Sequence, residues 1–284
     1  LALALILDRD DELLLSDPGY PCNRHFARLL EGRPVGVPVG EDSRYQLSAA
    51  AIARHWTRAT RAVLIATPSN PTGTTIAPDE MRRIVEVVRA RGGFTLVDEI
   101  YLGLSFDAAY GQSVLAHGDD VISINSFSKY FSMTGWRIGW LVLPPALVAP
   151  VEKLAQNLFI CASTVAQQAA LACFAPESLA EYERRREEFR ARRDYLVPAL
   201  NALGLTVPVM PDGAFYAWAD CSAFRASSWD FAFAMMREAH VALTPGRDFG
   251  RHAGERFVRF SYASRMDALH EAVQRLQRVL SPRG

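Results

Sequence analysis

Residues 121–144 read VISINSFSKYFSMTGWRIGWLVLP. A short apolar run, VISIN, leads into SFSKYFSMTGWR at 126–137, and a second apolar run, RIGWLVLP, follows. Lys129 sits between them, flanked by the hydroxyls of Ser126, Ser128, Ser132 and Thr134, with Arg137 eight residues on. The chain carries only one other lysine, Lys153; every remaining basic residue is arginine. A lysine kept where arginine is the habit points to an amine that must lose its proton, which a guanidinium does not do. Schiff-base chemistry is the task that fits. Two buried strands on either side place this lysine at a sheet end, where ligand sites of α/β folds lie.

The pattern continues upstream. Apolar strands are expected at 12–16, 35–39, 62–66, 94–97 and 121–125, with helices at 22–31, 48–56 and from Pro78. The last is well marked: Pro78, Asp79 and Glu80 open it, and Met81, Ile84, Val85 and Val88 share one face. Polar residues cluster at the carboxyl ends of the strands. This predicts an α/β fold built on a mostly parallel, doubly wound sheet with its site on one edge. Residues 146–174 read as two helical pieces. A long charged helix at 178–203 has Glu183–Arg186, Glu187–Arg190 and Glu188–Arg192 at pairing distance. Beyond Gly204 short strands are expected at 205–209, 214–219, 241–243 and 257–262, with helices at 229–239 and 266–280, a smaller α+β C-terminal domain. The expected division is a large domain over 1–175 and the connecting helix with the small domain over 176–284.

Composition narrows the function classes. Thirty-one basic residues balance thirty-one acidic ones, so no net field favours nucleic acid or a membrane surface. Four cysteines without a C-x-x-C spacing read as free thiols of a reducing, cytoplasmic compartment. The six histidines have no metal-ligand spacing, and no metal is expected. LALALIL at 1–7 lacks the basic flank of a signal peptide and reads as the middle of a helix, so the natural protein is expected to be longer.

Four separated motifs carry the chemistry: NPTG (70–73), DEIY (98–101), SFSK (126–129) with Arg137, and RFSYA (259–263). In this order and spacing they resemble the pyridoxal 5′-phosphate (PLP) enzymes of fold type I, in particular the class I/II aminotransferases, over nearly the whole chain from Asp17. The resemblance implies that Lys129 holds the cofactor as a Schiff base and shuttles a proton. It implies that Asp98 faces the pyridine nitrogen; alternation along the strand points Glu99, its rival by composition, to the opposite side. Asn70 and Tyr101 would serve the ring hydroxyl, and Ser126, Ser128 and Arg137 the phosphate. Tyr20, in DPGYP, would stack on the ring. Arg259, with Asn70, would take the substrate α-carboxylate, and Phe215 would line the pocket or pack in the core. The catalytic set is thus Lys129, Asp98 and Tyr101.

The resemblance also implies a homodimer working on an amino acid and a 2-oxo acid. A further phosphate-binding loop, which family members carry at a helix start, would precede Leu1. Residues 154–183 contain no lysine or arginine, which favours an uncharged aliphatic or aromatic substrate side chain. Two alternatives stay open on sequence: a C–S lyase of the same fold, and the aminotransferase-like effector domain of a transcription regulator.

Overall fold

The computed structural model describes residues 1–281; the last three residues of the expected small domain lie outside them. Six strands, β1 (Glu12–Asp17), β2 (Arg33–Pro38), β3 (Thr60–Ala66), β4 (Phe94–Asp98), β5 (Ile122–Ser126) and β6 (Gly139–Val142), form one sheet in the order β2-β1-β3-β4-β5-β6. The first five are parallel and β6 runs antiparallel at the edge. The central strands are apolar throughout because both faces are covered. Val63 and Ile65 of β3 and Val97 of β4 enter one core; Ala62, Leu64 and Leu96 enter the other. Continuous rather than alternating hydrophobicity follows from that double burial.

Helices α1 (Ala2–Ile6), α2 (Pro21–Leu29), α3 (Ala49–His55), α4 (Pro78–Arg89) and α5 (Pro145–Leu158) flank the sheet. In α4, Pro78 stands in the first turn with Asp79 and Glu80, and Met81, Ile84, Val85 and Val88 are all buried. It stops before Gly92, whose φ is +66°. Helix α2 stops differently from expectation: Glu31, not Gly32, takes the left-handed conformation at φ +60°. The strand after the lysine is also less buried than expected. Gly139 and Trp140 are exposed, because β6 is an edge strand with one partner only.

The chain continues through α6 (Thr164–Leu171) and the 27-residue α7 (Pro176–Ala202). The three expected ion pairs of α7 form, Glu183–Arg186 at 2.6 Å, Glu187–Arg190 at 3.4 Å and Glu188–Arg192 at 3.0 Å. A second, antiparallel sheet holds β7 (Tyr216–Asp220), β8 (Thr244–Pro245) and β9 (Phe257–Ser261) in the order β7-β9-β8, joined by α8 (Ser228–Ala234) and α9 (Met266–Leu280). Helix α8 closes on a wider π turn over Met235–Ala239.

Two expected strands are not strands. At 205–209 only Thr206 bridges Asp220. The Val207 N–H goes instead to the Asn201 side chain at 2.7 Å, and Pro208 has no N–H to give. At 241–243 the Val241 N–H bonds back to Met235 after a left-handed His240, and pairing begins only at Thr244.

The loops after β1 and β3 are tied to the second sheet. Asp212 accepts from the Thr75 N–H (3.1 Å) and hydroxyl (2.9 Å) and pairs with Arg44 at 2.6 Å. The Gly73 carbonyl accepts from the N–H groups of Asp212 and Gly213. After β1, the Asp17 carboxylate accepts the backbone N–H groups of Arg251 and His252, each at 3.2 Å. Gly73 is the tight point: its φ is +69°, and a Cβ there would lie 2.7 Å from the Tyr216 carbonyl oxygen. Gly73→Ala is therefore expected to destabilise the protein by about 1–3 kcal/mol, read as a lowered urea midpoint with unchanged m-value.

Candidate active site

The carboxyl ends of β3, β4 and β5 deliver Asn70, Asp98 and Lys129 to one side of the sheet, and β9 brings Arg259 to them from the second sheet. Asp98 ends β4 and accepts the Ile100 N–H at 3.2 Å. Burial pushes its carboxyl up to about 7; the Glu99 charge adds to the rise, while the Ile100 N–H and Lys129 oppose it. Asp98, Tyr20 and Asn125 line one cavity of about 1040 Å³.

Glu99 points the other way, as alternation requires. It is buried and accepts from the Ser113 hydroxyl (2.9 Å), the Val114 N–H (2.7 Å) and the Ser123 hydroxyl (2.5 Å). Its carboxylate is thus occupied by three donors of the protein itself.

Lys129 is half-buried, its Nζ 5.9 Å from the ring centroids of both Tyr101 and Phe215. Desolvation lowers its pKa, and the positive charges of Arg137 and Arg259 lower it further against the pull of Asp98. Tyr101 is buried, and its hydroxyl shares a 2.9 Å hydrogen bond with that of Tyr216. Its ring meets Phe215 edge-on at 5.5 Å. Burial raises the Tyr101 pKa, so its hydroxyl keeps its proton.

Arg259 donates through Nη1 to Asn70 Oδ1 at 2.8 Å and through Nη2 to Thr244 Oγ1 at 3.1 Å. Its guanidinium lies over the rings of Tyr216 (4.4 Å) and Phe249 (5.0 Å). Its Nε is buried without a partner. A buried cationic donor left unsatisfied is costly unless a ligand meets it.

Ser126 accepts the Ser128 N–H at 3.0 Å, which leaves its hydroxyl hydrogen free to donate. The Ser128 carbonyl accepts the Thr134 hydroxyl at 2.5 Å, closing the turn that carries Lys129. Arg137 is exposed, in the left-handed region at φ +53°, with Nη1 on the Thr134 carbonyl at 2.9 Å. Tyr20 is 41% exposed at the start of α2. A hydrogen bond with the Cys22 thiol and burial push its hydroxyl up to about 12.

The structure thus brings Asn70, Asp98, Tyr101, Lys129, Phe215 and Arg259 into one linked set. Tyr20 joins it through the cavity it shares with Asp98. Ser126, Ser128 and Arg137 lie along the turn around Lys129. Sequence reasoning missed Tyr216, Asn125 and Thr244. Tyr216 was open to discovery: a tyrosine beside Phe215 in a buried strand needs a hydroxyl partner. Thr244 was not, because its role depends on register with Arg259 across β8 and β9. Among the described residues, no group of three His, Cys, Asp or Glu side chains could hold a metal ion, and no helix is long and apolar enough to cross a membrane.

The sequence matches the family model for aminotransferase class I and II over residues 1–276. It is 35% identical to the valine–pyruvate aminotransferase of Mycobacterium tuberculosis, over 97% of this chain and 71% of that protein. It is 36% identical to a probable N-acetyl-LL-diaminopimelate aminotransferase of Bacillus subtilis, over 97% and 69% respectively. The fold superposes on the crystal structure of an aminotransferase from Mycobacterium tuberculosis with a TM-score of 0.94, at 35% identity, covering 98% of this chain and 72% of that one.

The Asp98 carboxyl gives a stability prediction. Its folded pKa of about 7 exceeds the ordinary 3.8. Between those values the folded protein holds a proton that the unfolded chain has lost, so stability falls as pH rises through the window. Relative to wild type, Asp98→Asn in ligand-free protein is expected to gain on the order of 2–4 kcal/mol on going from pH 4 to pH 8, measured by urea unfolding at each pH.

Proposed function

This chain belongs to the class I and II aminotransferases and is a PLP-dependent transaminase, and we propose that it moves the amino group of an L-amino acid with an uncharged aliphatic or aromatic side chain to a 2-oxo acid in a ping-pong cycle. The observation that carries this reading is the Lys129 amine, half-buried with a lowered pKa, in one linked set with Asp98, Tyr101 and the Arg259–Asn70 pair. The absence of lysine and arginine from 154–183 supports the uncharged side chain, and so does the valine–pyruvate aminotransferase among its relatives.

The residues fit PLP. The Asp98 carboxyl, held high by burial, would ionise beside a cationic ring nitrogen. In this reading Lys129 Nζ is the covalent attachment point. Tyr101 and Asn70 serve the ring hydroxyl, Tyr20 stacks on the ring, and Ser126, Ser128 and Arg137 take the phosphate. Bound PLP supplies an electron sink for the negative charge that develops at the substrate α-carbon.

The protein's own groups do the rest. Lys129 Nζ would take the substrate α-proton as a general base; burial and the nearby Arg137 and Arg259 charges favour its neutral form. Arg259 forks onto the α-carboxylate, with Asn70 and Thr244 fixing its plane and its free Nε available for one of the two bonds. Phe215 stands beside Lys129, its ring centroid 5.9 Å from Nζ. The exposed apolar side chains Leu158, Phe159, Ile160, Leu171 and Phe174 are read as part of a homodimer face, and the compartment as the cytoplasm.

Borohydride reduction of the PLP-loaded protein is expected to label Lys129, found by peptide mapping; a label on Lys153 would contradict the assignment. Lys129→Arg should lower kcat by roughly 10²–10⁴-fold. Arg259→Ala should raise KM for amino acid and 2-oxo acid alike by about 10–100-fold, while the visible absorbance of bound cofactor persists. Loss of that absorbance would place Arg259 on the cofactor instead.

A further inference from the structure

Tyr216 stands where the two sheets meet. It opens β7, is buried, and pairs in register with Ser261 of β9. Arg259, two residues before Ser261, therefore lies diagonally across from it on the same face. The Arg259 guanidinium rests over the Tyr216 ring at 4.4 Å. The same ring meets that of Tyr101 edge-on, with centroids 5.7 Å apart and planes at 82°. One side chain thus touches both the tyrosine assigned to the cofactor's ring hydroxyl and the arginine assigned to the substrate α-carboxylate.

The hydroxyls give the contact a direction. Among the described residues, the 2.9 Å bond between Tyr101 and Tyr216 is the only hydrogen bond of either hydroxyl. Two buried O–H groups share one bond and leave one hydrogen over. A buried hydrogen without an acceptor is costly. The acceptor in the reading of the site is the ring oxygen of PLP, assigned to Tyr101, so the spare hydrogen belongs on Tyr101 and Tyr216 is the donor of the pair. A hydroxyl that accepts a hydrogen bond donates its own more strongly, by roughly 10–30%.

We propose that Tyr216 is a positioning residue for both halves of the site: its hydroxyl donates to Tyr101 and so aims the Tyr101 hydrogen at the cofactor's ring oxygen, while its ring seats the Arg259 guanidinium for the α-carboxylate. The inference rests on the reading of Tyr101 as the donor to that oxygen and of Arg259 as the carboxylate site. A donor on the ring oxygen favours its anionic form and lowers the pH at which the bound cofactor changes its visible absorbance. Tyr216 acts on that pH only through Tyr101, and on substrate affinity only through Arg259.

The test is a pH titration of the visible absorbance of the PLP-loaded protein without substrate, followed by KM measurements. Tyr101→Phe is expected to raise the titration midpoint by about 1–2 pH units, and Tyr216→Phe, which keeps the ring, by about 0.2–0.6. The double variant Tyr101→Phe/Tyr216→Phe should titrate with Tyr101→Phe alone, because the second hydroxyl has nothing left to act through. Tyr216→Leu, which removes the ring as well, should raise KM for amino acid and 2-oxo acid about five- to thirtyfold above its value in Tyr216→Phe. A midpoint that Tyr216→Phe leaves in place while Tyr101→Phe moves it, or a double variant in which the two shifts add, overturns the proposal alone, and so does equal KM in the Phe and Leu variants. A midpoint indifferent to Tyr101→Phe overturns the underlying reading and the proposal with it.

Discussion

Both faces of β3 and β4 are buried, and that double burial decides where chemistry can happen. A strand covered on two sides has no room for an unpaired polar side chain along its length. Asp98 and Asn70 therefore appear at or beyond the carboxyl ends of their strands, and Lys129 in the turn after β5. Glu99 shows the cost of the alternative. Pointing back into the protein, it is tolerated only because three donors from Ser113, Val114 and Ser123 meet it. Asp98, with one N–H partner and its face on a cavity, is left with a carboxyl pushed toward neutrality.

The second sheet completes what the first begins. Arg259 reaches Asn70 across a seam where Asp212 ties the loop after β3 to the residues before β7 and Asp17 caps the loop after β8. These links run mostly from side-chain carboxylates to backbone N–H groups, and they hold position rather than add much stability. The site is thus a property of the seam between two sheets. Its aromatic rings, Tyr101, Phe215, Tyr216 and Phe249, fill the space around two cations that would otherwise be hydrated.

Much of the fold was legible. Double burial writes itself as continuous apolar runs, and strands β1, β3, β4 and β5 stand within a residue or two of where those runs lie. Pro78 with Asp79 and Glu80 marks the start of α4 for a local electrostatic reason. The ion pairs of α7 follow from helical spacing alone. The misses came where long-range pairing overrides local pattern. Residues 205–209 and 241–243 are rich in β-formers, yet an asparagine side chain, a proline and a left-handed histidine divert their hydrogen bonds. The strand after Lys129 is apolar but lies at an exposed edge.

The sequence by itself determined the class of fold and the residue types of the site. Lysine, aspartate, asparagine, tyrosine and arginine stand in an order that resembles one family, and alternation along β4 already separates Asp98 from Glu99. Only the tertiary structure decided the couplings: the Tyr101–Tyr216 hydrogen bond and the Asn70–Arg259–Thr244 chain. Each joins groups that are at least fifteen residues apart in the chain and most join the two sheets. Local pattern carries periodicity and capping, but it carries no register between distant segments, and register is what sets which side chains meet.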